Sequence, residues 1–174
     1  MASLDIGKPE AVTWIKNHFE RGSTCLDVGA CDGKWSDLVG DYLKMDAVEI
    51  YEPNIIKHKL ADKYNKVYFA DVREFDFGNK YDLIIFGDVL EHMSVEDAQK
   101  VLDYAWDRCN DLLVAVPYCW VNRSHYGNPY EVHIQDDLTP ENVRERYPGL
   151  KALFISPRYG YYTKGARSCL IQIT

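Results

Sequence analysis

The residues best suited to chemistry lie in Cys25-Leu26-Asp27-Val28-Gly29-Ala30-Cys31-Asp32-Gly33-Lys34-Trp35. An apolar run meets a turn with two glycines, and a helical pattern follows. Glycine lets main chain approach an anionic ligand closely, and a helix N-terminus adds a positive dipole end. Glu49 closes the next apolar run, about twenty residues after Gly29, the spacing at which α/β nucleotide-binding domains carry a ribose-binding acid. One carboxylate there matches the two vicinal hydroxyls of a ribose. Asp71 ends a third run, Tyr68-Phe69-Ala70-Asp71, and suits an adenine amino group. Each acid alone has a plainer use, capping a turn or standing solvated at a strand end. Three in succession point to an adenosine derivative.

A dinucleotide fits less well. Its fingerprint, G-x-G-x-x-G, would fall on Gly29, Cys31 and Lys34, whereas the spacing here is D-x-G-x-x-x-G. His92 and His133 are the candidate reactive side chains, since an imidazole titrates near neutrality and can take a proton from a hydroxyl or amine. The plainer role for either is packing or capping.

The elements that must position these residues alternate along the chain. Pro9 to Phe19 reads as a helix with an early proline and a Gly22 stop. Strands are expected at Thr24 to Val28, Ala47 to Ile50, Val67 to Ala70, Asp82 to Phe86 and Leu112 to Val116. Trp35, Leu38, Val39, Tyr42 and Leu43 recur at helical spacing, and Pro53 to Asp62 reads as a helix. Ser94 and Asp97 begin another in capping-box fashion, and Thr139-Pro140 opens one more. Pro117 to Leu138 is long, aromatic and aperiodic, the kind of loop that is often functional. Tyr159, Tyr161 and Tyr162 are candidates for the same aromatic wall. Ala152 to Ser156 and Ser168 to Ile173 finish as strands, and their short connection, Pro157 to Arg167, requires an antiparallel pair. The expected fold is therefore α/β: a Rossmann-like, seven-stranded, mostly parallel sheet with a C-terminal antiparallel hairpin and helices on both faces. Ligands of such sheets bind at the carboxyl ends of the strands, where the acids above fall.

Composition narrows the function. The 174 residues suit one domain, 1–174. The net charge of −7 argues against a nucleic-acid surface. Five cysteines without a C-x-x-C pair suggest reduced thiols and a cytoplasmic setting, with no membrane span.

Over nearly its whole length the chain resembles the class I S-adenosylmethionine-dependent methyltransferases. Asp27 to Gly33 is similar to their D-x-G-x-G-x-G motif, with Cys31 at the central glycine, a departure that suggests a slightly wider turn. Ala47-Val48-Glu49-Ile50 and Asp71 resemble the motifs that hold ribose and adenine, and Phe86-Gly87-Asp88-Val89-Leu90-Glu91-His92 a later one. The resemblance implies S-adenosylmethionine as cofactor. Gly29, Ala30 and Gly33 would meet its methionine part and Asp27 would orient its amino group. Glu49 would hold the ribose, Ile50 would pack on the adenine, and Asp71 and Val72 would read its edge. Asp88 and Val89 would line the methionine side, and Trp35 would cover the site unless it is simply a core aromatic. The implied reaction is methyl transfer to an oxygen or nitrogen of a small molecule or sugar. Two alternatives remain: binding without turnover, and a metal-dependent RNA 2′-O-methyltransferase, because Asp88-x-x-Glu91-His92 with a later histidine resembles the metal site of small-RNA 3′-terminal enzymes. The acidic charge speaks against RNA, and no metal is expected.

Overall fold

In the computed structural model, which describes residues 5–78, 80–124 and 127–165, seven strands form one sheet in the order β3-β2-β1-β4-β5-β7-β6. The strands are β1 (Thr24–Val28), β2 (Lys44–Glu49), β3 (Lys66–Phe69), β4 (Tyr81–Gly87), β5 (Cys109–Pro117), β6 (Leu150–Ile155) and β7 (Tyr159–Lys164). The first five are parallel, and β7 runs antiparallel between β5 and β6. The helices are α1 (Lys8–His18), α2 (Lys34–Val39), α3 (Glu52–Lys57), α4 (Leu60–Lys63), α5 (Val95–Trp106) and α6 (Pro140–Arg146).

The two faces of the sheet carry separate cores, as the period of two along a strand dictates. Ile84 and Phe86 of β4 join Leu112 and Val114 of β5 against Ala98, Val101 and Leu102 of α5. Leu83 and Ile85 turn the other way and meet Ala11, Ile15, Trp35 and Leu60. Both sides of β4 are thus buried, which explains its unbroken apolar run.

Local chemistry sets the boundaries. Ser94 Oγ accepts from Asp97 N at 3.1 Å and Thr139 Oγ1 from Asn142 N at 3.1 Å, so the two expected caps start α5 and α6. Three expectations are corrected. The helix expected over Pro53 to Asp62 is two short ones, because Lys59 takes a left-handed φ of 50° between them. The helix after Gly33 stops at Val39, so its six residues give only a weak dipole. The partner of β6 is Tyr159–Lys164, inside the stretch expected to be a connection; the strand expected at Ser168 to Ile173 lies outside the described residues. Burial on both faces of β7 removes the alternation that marks a strand, and Gly160 reads as a breaker. That glycine serves packing instead: a Cβ there would lie 1.8 Å from the Tyr118 hydroxyl.

Candidate functional site

The carboxyl ends of β1, β2, β4 and β5 open into one cavity. The parallel registers place Val28 beside Val48 and Gly87 beside Ala115, so the turns leaving these strands converge. Gly29 leaves β1 at φ 71°, and a Cβ on it would lie 2.8 Å from Val89 Cγ2. Glycine is therefore needed there for both backbone shape and space. Cys31 also adopts a left-handed φ, 50°. It keeps the conformation a glycine would take rather than widening the turn. Burial pushes its thiol up to about 12, so it is no nucleophile.

Glu49 is the anchor of this region. Its carboxylate is buried on the cavity wall and accepts from Cys31 N at 2.7 Å and Tyr51 N at 2.8 Å. Burial raises its pKa, and the two amides, with a hydrogen bond from the Asn54 side chain, oppose that rise. A carboxylate can accept about four hydrogen bonds, so acceptor capacity remains on it. Ile50, Asn54 and Val72 flank it on the wall. Asp71 is also there, held below the usual carboxylate range chiefly by its hydrogen bonds and ion pair with Arg73.

Two expected residues stand one layer back. Asp27 and Gly33 are not on the cavity wall. Asp27 is buried and accepts from the Tyr64 hydroxyl at 2.6 Å through Oδ2, while Oδ1 is a buried oxygen without a partner. Burial raises its carboxyl to about 7, against the opposing pull of the Tyr64 bond. Gly33, at φ 80°, precedes α2 and packs against Lys63. Ala30, Trp35, Asp88 and Val89 do reach the wall. Trp35 is nonetheless a core residue, its indole lying over Gly87 and edge-on to Tyr161.

The other side of the cavity is built by the turn after β4 and the long loop after β5. Leu90–His92 is a single 3-10 turn, and Glu91 on it is 1% exposed. Among the described residues no other residue hydrogen-bonds to either carboxylate oxygen of Glu91. Burial, then the nearby Asp88 charge, drives its pKa well above the ordinary value. His92 and His133 meet edge to face, ring centroids 4.8 Å apart. His92 Nδ1 is 3.1 Å from the Val132 carbonyl and His133 Nδ1 2.8 Å from the Trp120 carbonyl. A carbonyl only accepts, so each Nδ1 carries the hydrogen and each Nε2 keeps its lone pair. Burial lowers both pKa values and favours these neutral forms.

The loop is stitched down rather than free. Ile134 N and Gln135 N both donate to the Glu91 carbonyl, at 2.7 and 3.0 Å. Buried Gln135 donates to the carbonyls of Leu90 and Met93 and accepts from Tyr147 and Arg146. Trp120, Asn122, Asn128, Tyr130, Glu131 and Tyr159 complete the wall. Of the other loop and hairpin candidates, Tyr118 and Tyr162 bond to each other in the core, and Tyr161 is fully buried. Arg158 stacks over Trp120 at 5.5 Å, and Arg123 is paired with Asp136. Asn54 on α3 and Asn122, Asn128 and Glu131 on the loop carried no sequence signal, because nothing in the order of residues reveals which polar side chains converge on the cavity, and the same holds for Gln135 beneath it.

A cavity at the strand ends of a mostly parallel sheet covered by helices, with a buried acid beside a glycine turn, defines a Rossmann-like architecture. No protein-family model and no curated protein matches the chain by sequence. Solved structures do match. A S-adenosylmethionine-dependent methyltransferase from Clostridium acetobutylicum superposes with a TM-score of 0.72 at 10% identity, covering 95% of this chain and 94% of the other. Magnesium protoporphyrin IX methyltransferase from Synechocystis with bound S-adenosylmethionine gives 0.64 at 13%, covering 95% and 86%. The N-methyltransferase NodS from Bradyrhizobium japonicum gives 0.59 at 10%, covering 93% and 98%. The chain has the Rossmann-like methyltransferase fold. Among the described residues no helix is long and apolar enough to cross a membrane.

Proposed function

We propose that this protein transfers a methyl group from S-adenosylmethionine to an oxygen or nitrogen of a small molecule or sugar. The observation that carries the reading is the buried Glu49 carboxylate beside the Gly29 turn, on the wall of the cavity at the strand ends. The donor set fits the cofactor. Glu49 offers lone pairs to a ribose diol, Ile50 and Val72 offer apolar surface to a flat base, and Asp71 offers an acceptor to its amino group. The turn at Gly29 admits close main-chain approach for the methionine part. The orphaned Oδ1 of Asp27, just behind, suits an ammonium reached directly or through water.

S-adenosylmethionine supplies a methyl on a sulfonium, whose thioether leaves without acid assistance. The protein's share is then alignment, exclusion of water and removal of one proton. His92 and His133 hold bare Nε2 lone pairs at the cavity wall and are the groups that take that proton. The rings and carboxamides of Trp120, Tyr130, Asn122 and Asn128 suit a hydroxyl-rich acceptor. The net charge of −7 opposes a polyphosphate. The described cysteines are all free thiols, which supports a reducing, cytoplasmic setting.

Calorimetric titration with S-adenosylhomocysteine, on protein stripped of endogenous ligand, tests the cofactor. Saturable one-to-one binding, weakened at least about tenfold in Glu49→Ala, is expected. No heat and no thermal shift would overturn the reading. An acceptor screen with radiolabelled methyl then distinguishes turnover from binding alone.

A further inference from the structure

Glu91, His92 and His133 place one donor atom each within 4.8 Å of one another, next to the cavity. We propose that these three side chains bind a divalent first-row transition metal ion. Glu91 is a buried carboxyl to which no other described residue hydrogen-bonds on either oxygen. A buried carboxylate left bare is costly, and such groups are normally paired or metal-bound. Among the described residues no Lys or Arg shares the cavity wall with it except Lys34 and Arg73, and both are committed, to Asp5 at 2.9 Å and to Asp71.

The two imidazoles facing Glu91 are prepared as ligands. Each donates Nδ1–H to a backbone carbonyl, of Val132 or Trp120, which fixes the tautomer and aims Nε2. Metal-bound histidines almost always carry such an outer partner. The main chain holds the set together, because Ile134 N and Gln135 N bond to the Glu91 carbonyl and Gln135 pins the turn from below. Donors on one tetrahedral ion lie about 3.4 Å apart, given bonds near 2.1 Å. The widest separation must therefore close by somewhat over one ångström, a movement the flexible Glu91 side chain can supply. Two imidazoles and one carboxylate suit Zn²⁺, Fe²⁺, Co²⁺ or Mn²⁺ better than Mg²⁺, which prefers all-oxygen sites. Asp88 is outside the group, so its negative charge acts from a distance.

Three protein ligands leave at least one open position, facing the cavity. An acceptor hydroxyl bound there would have its pKa lowered, so that its proton could pass to solvent water, and the imidazoles, with their Nε2 lone pairs on the ion, would serve as ligands in place of the base role they have without it. That role rests on the methyl-transfer reading; binding of the ion does not.

The test uses tag-free protein treated with chelator. Titration with Zn²⁺ is followed by calorimetry and titration with Co²⁺ by visible absorption. One equivalent should bind, raise the melting temperature and, with Co²⁺, give ligand-field bands. Glu91→Gln and His133→Asn should each weaken binding about 10–100-fold or more, with a cooperative thermal melt and the parent's far-ultraviolet circular dichroism as the check of fold. If either variant fails to fold, X-ray absorption of the Zn²⁺-loaded native protein decides, with two histidine scatterers supporting the site and oxygen or sulfur alone overturning it. Absence of saturable binding, or affinity unchanged in both variants, also overturns it. Metal binding without S-adenosylhomocysteine binding would defeat only the methyltransferase reading, and the converse only this one.

Discussion

Cys31 occupies a left-handed conformation that costs a β-carbon-bearing residue about 1–2 kcal/mol. Its backbone amide, not its thiol, holds Glu49. Cys31→Gly keeps that bond and removes the strain, so the melting temperature should rise by roughly 2–4 °C in a thermal melt, provided the thiol packs weakly. Asp27 makes a second prediction. Its folded pKa, about 7, lies above the ordinary 3.8 because burial penalises the charge. The folded state thus binds its proton more tightly than the unfolded chain. Its contribution to stability is complete below pH 3.8 and is lost as pH rises through 7. Urea melts between pH 5 and 8 should show stability falling less steeply with pH in Asp27→Asn than in the parent. An ammonium reaching Oδ1 favours the ionised form, so cofactor affinity should rise over the same interval.

At the scale of elements, Gln135 ties the loop after β5 to the turn after β4. Gln135→Ala strips two backbone carbonyls, the Tyr147 hydroxyl and Arg146 of their partner. A loss of about 1–3 kcal/mol is expected in denaturant titration. Amide exchange should accelerate across 119–135 before it does in β4 or β5. The parallel strands, the two capped helices and the acids at strand ends were all legible in the sequence, because each follows from local pattern or chemistry. β7 was not, since Tyr159 to Lys164 is buried on both faces and carries Gly160. The break at Lys59 left no mark either, as lysine is not a usual left-handed residue. His92 and His133 could be named from type, yet their meeting depends on a 40-residue closure that only the folded loop shows.

For the whole molecule, ligand binding and stability are linked. A compound that binds only the folded state stabilises it by about 2.7 kcal/mol at one hundred times its dissociation constant. S-adenosylhomocysteine at that level should raise the melting temperature by roughly 5–10 °C, and Glu49→Ala, binding about tenfold more weakly, should lose about half of that rise at the same concentration. The two sides of the sheet answer for different things. One core packs Trp35 against the cavity beside the Gly29 turn, and the other carries α5 and the base of the loop that walls the opposite side.

Because the Glu91 carbonyl accepts from two consecutive amides of the loop, part of the seam between the roof over the cavity and its floor is main chain on both sides. Those stitches are indifferent to side-chain identity. The tips at Trp120 and Tyr130 can therefore be exchanged to suit a new guest without unpicking the seam, whereas Asn128 caps the turn beneath Tyr130 and should stay, so diversification of what this scaffold accepts should run through residue swaps at those two rings and leave loop length untouched.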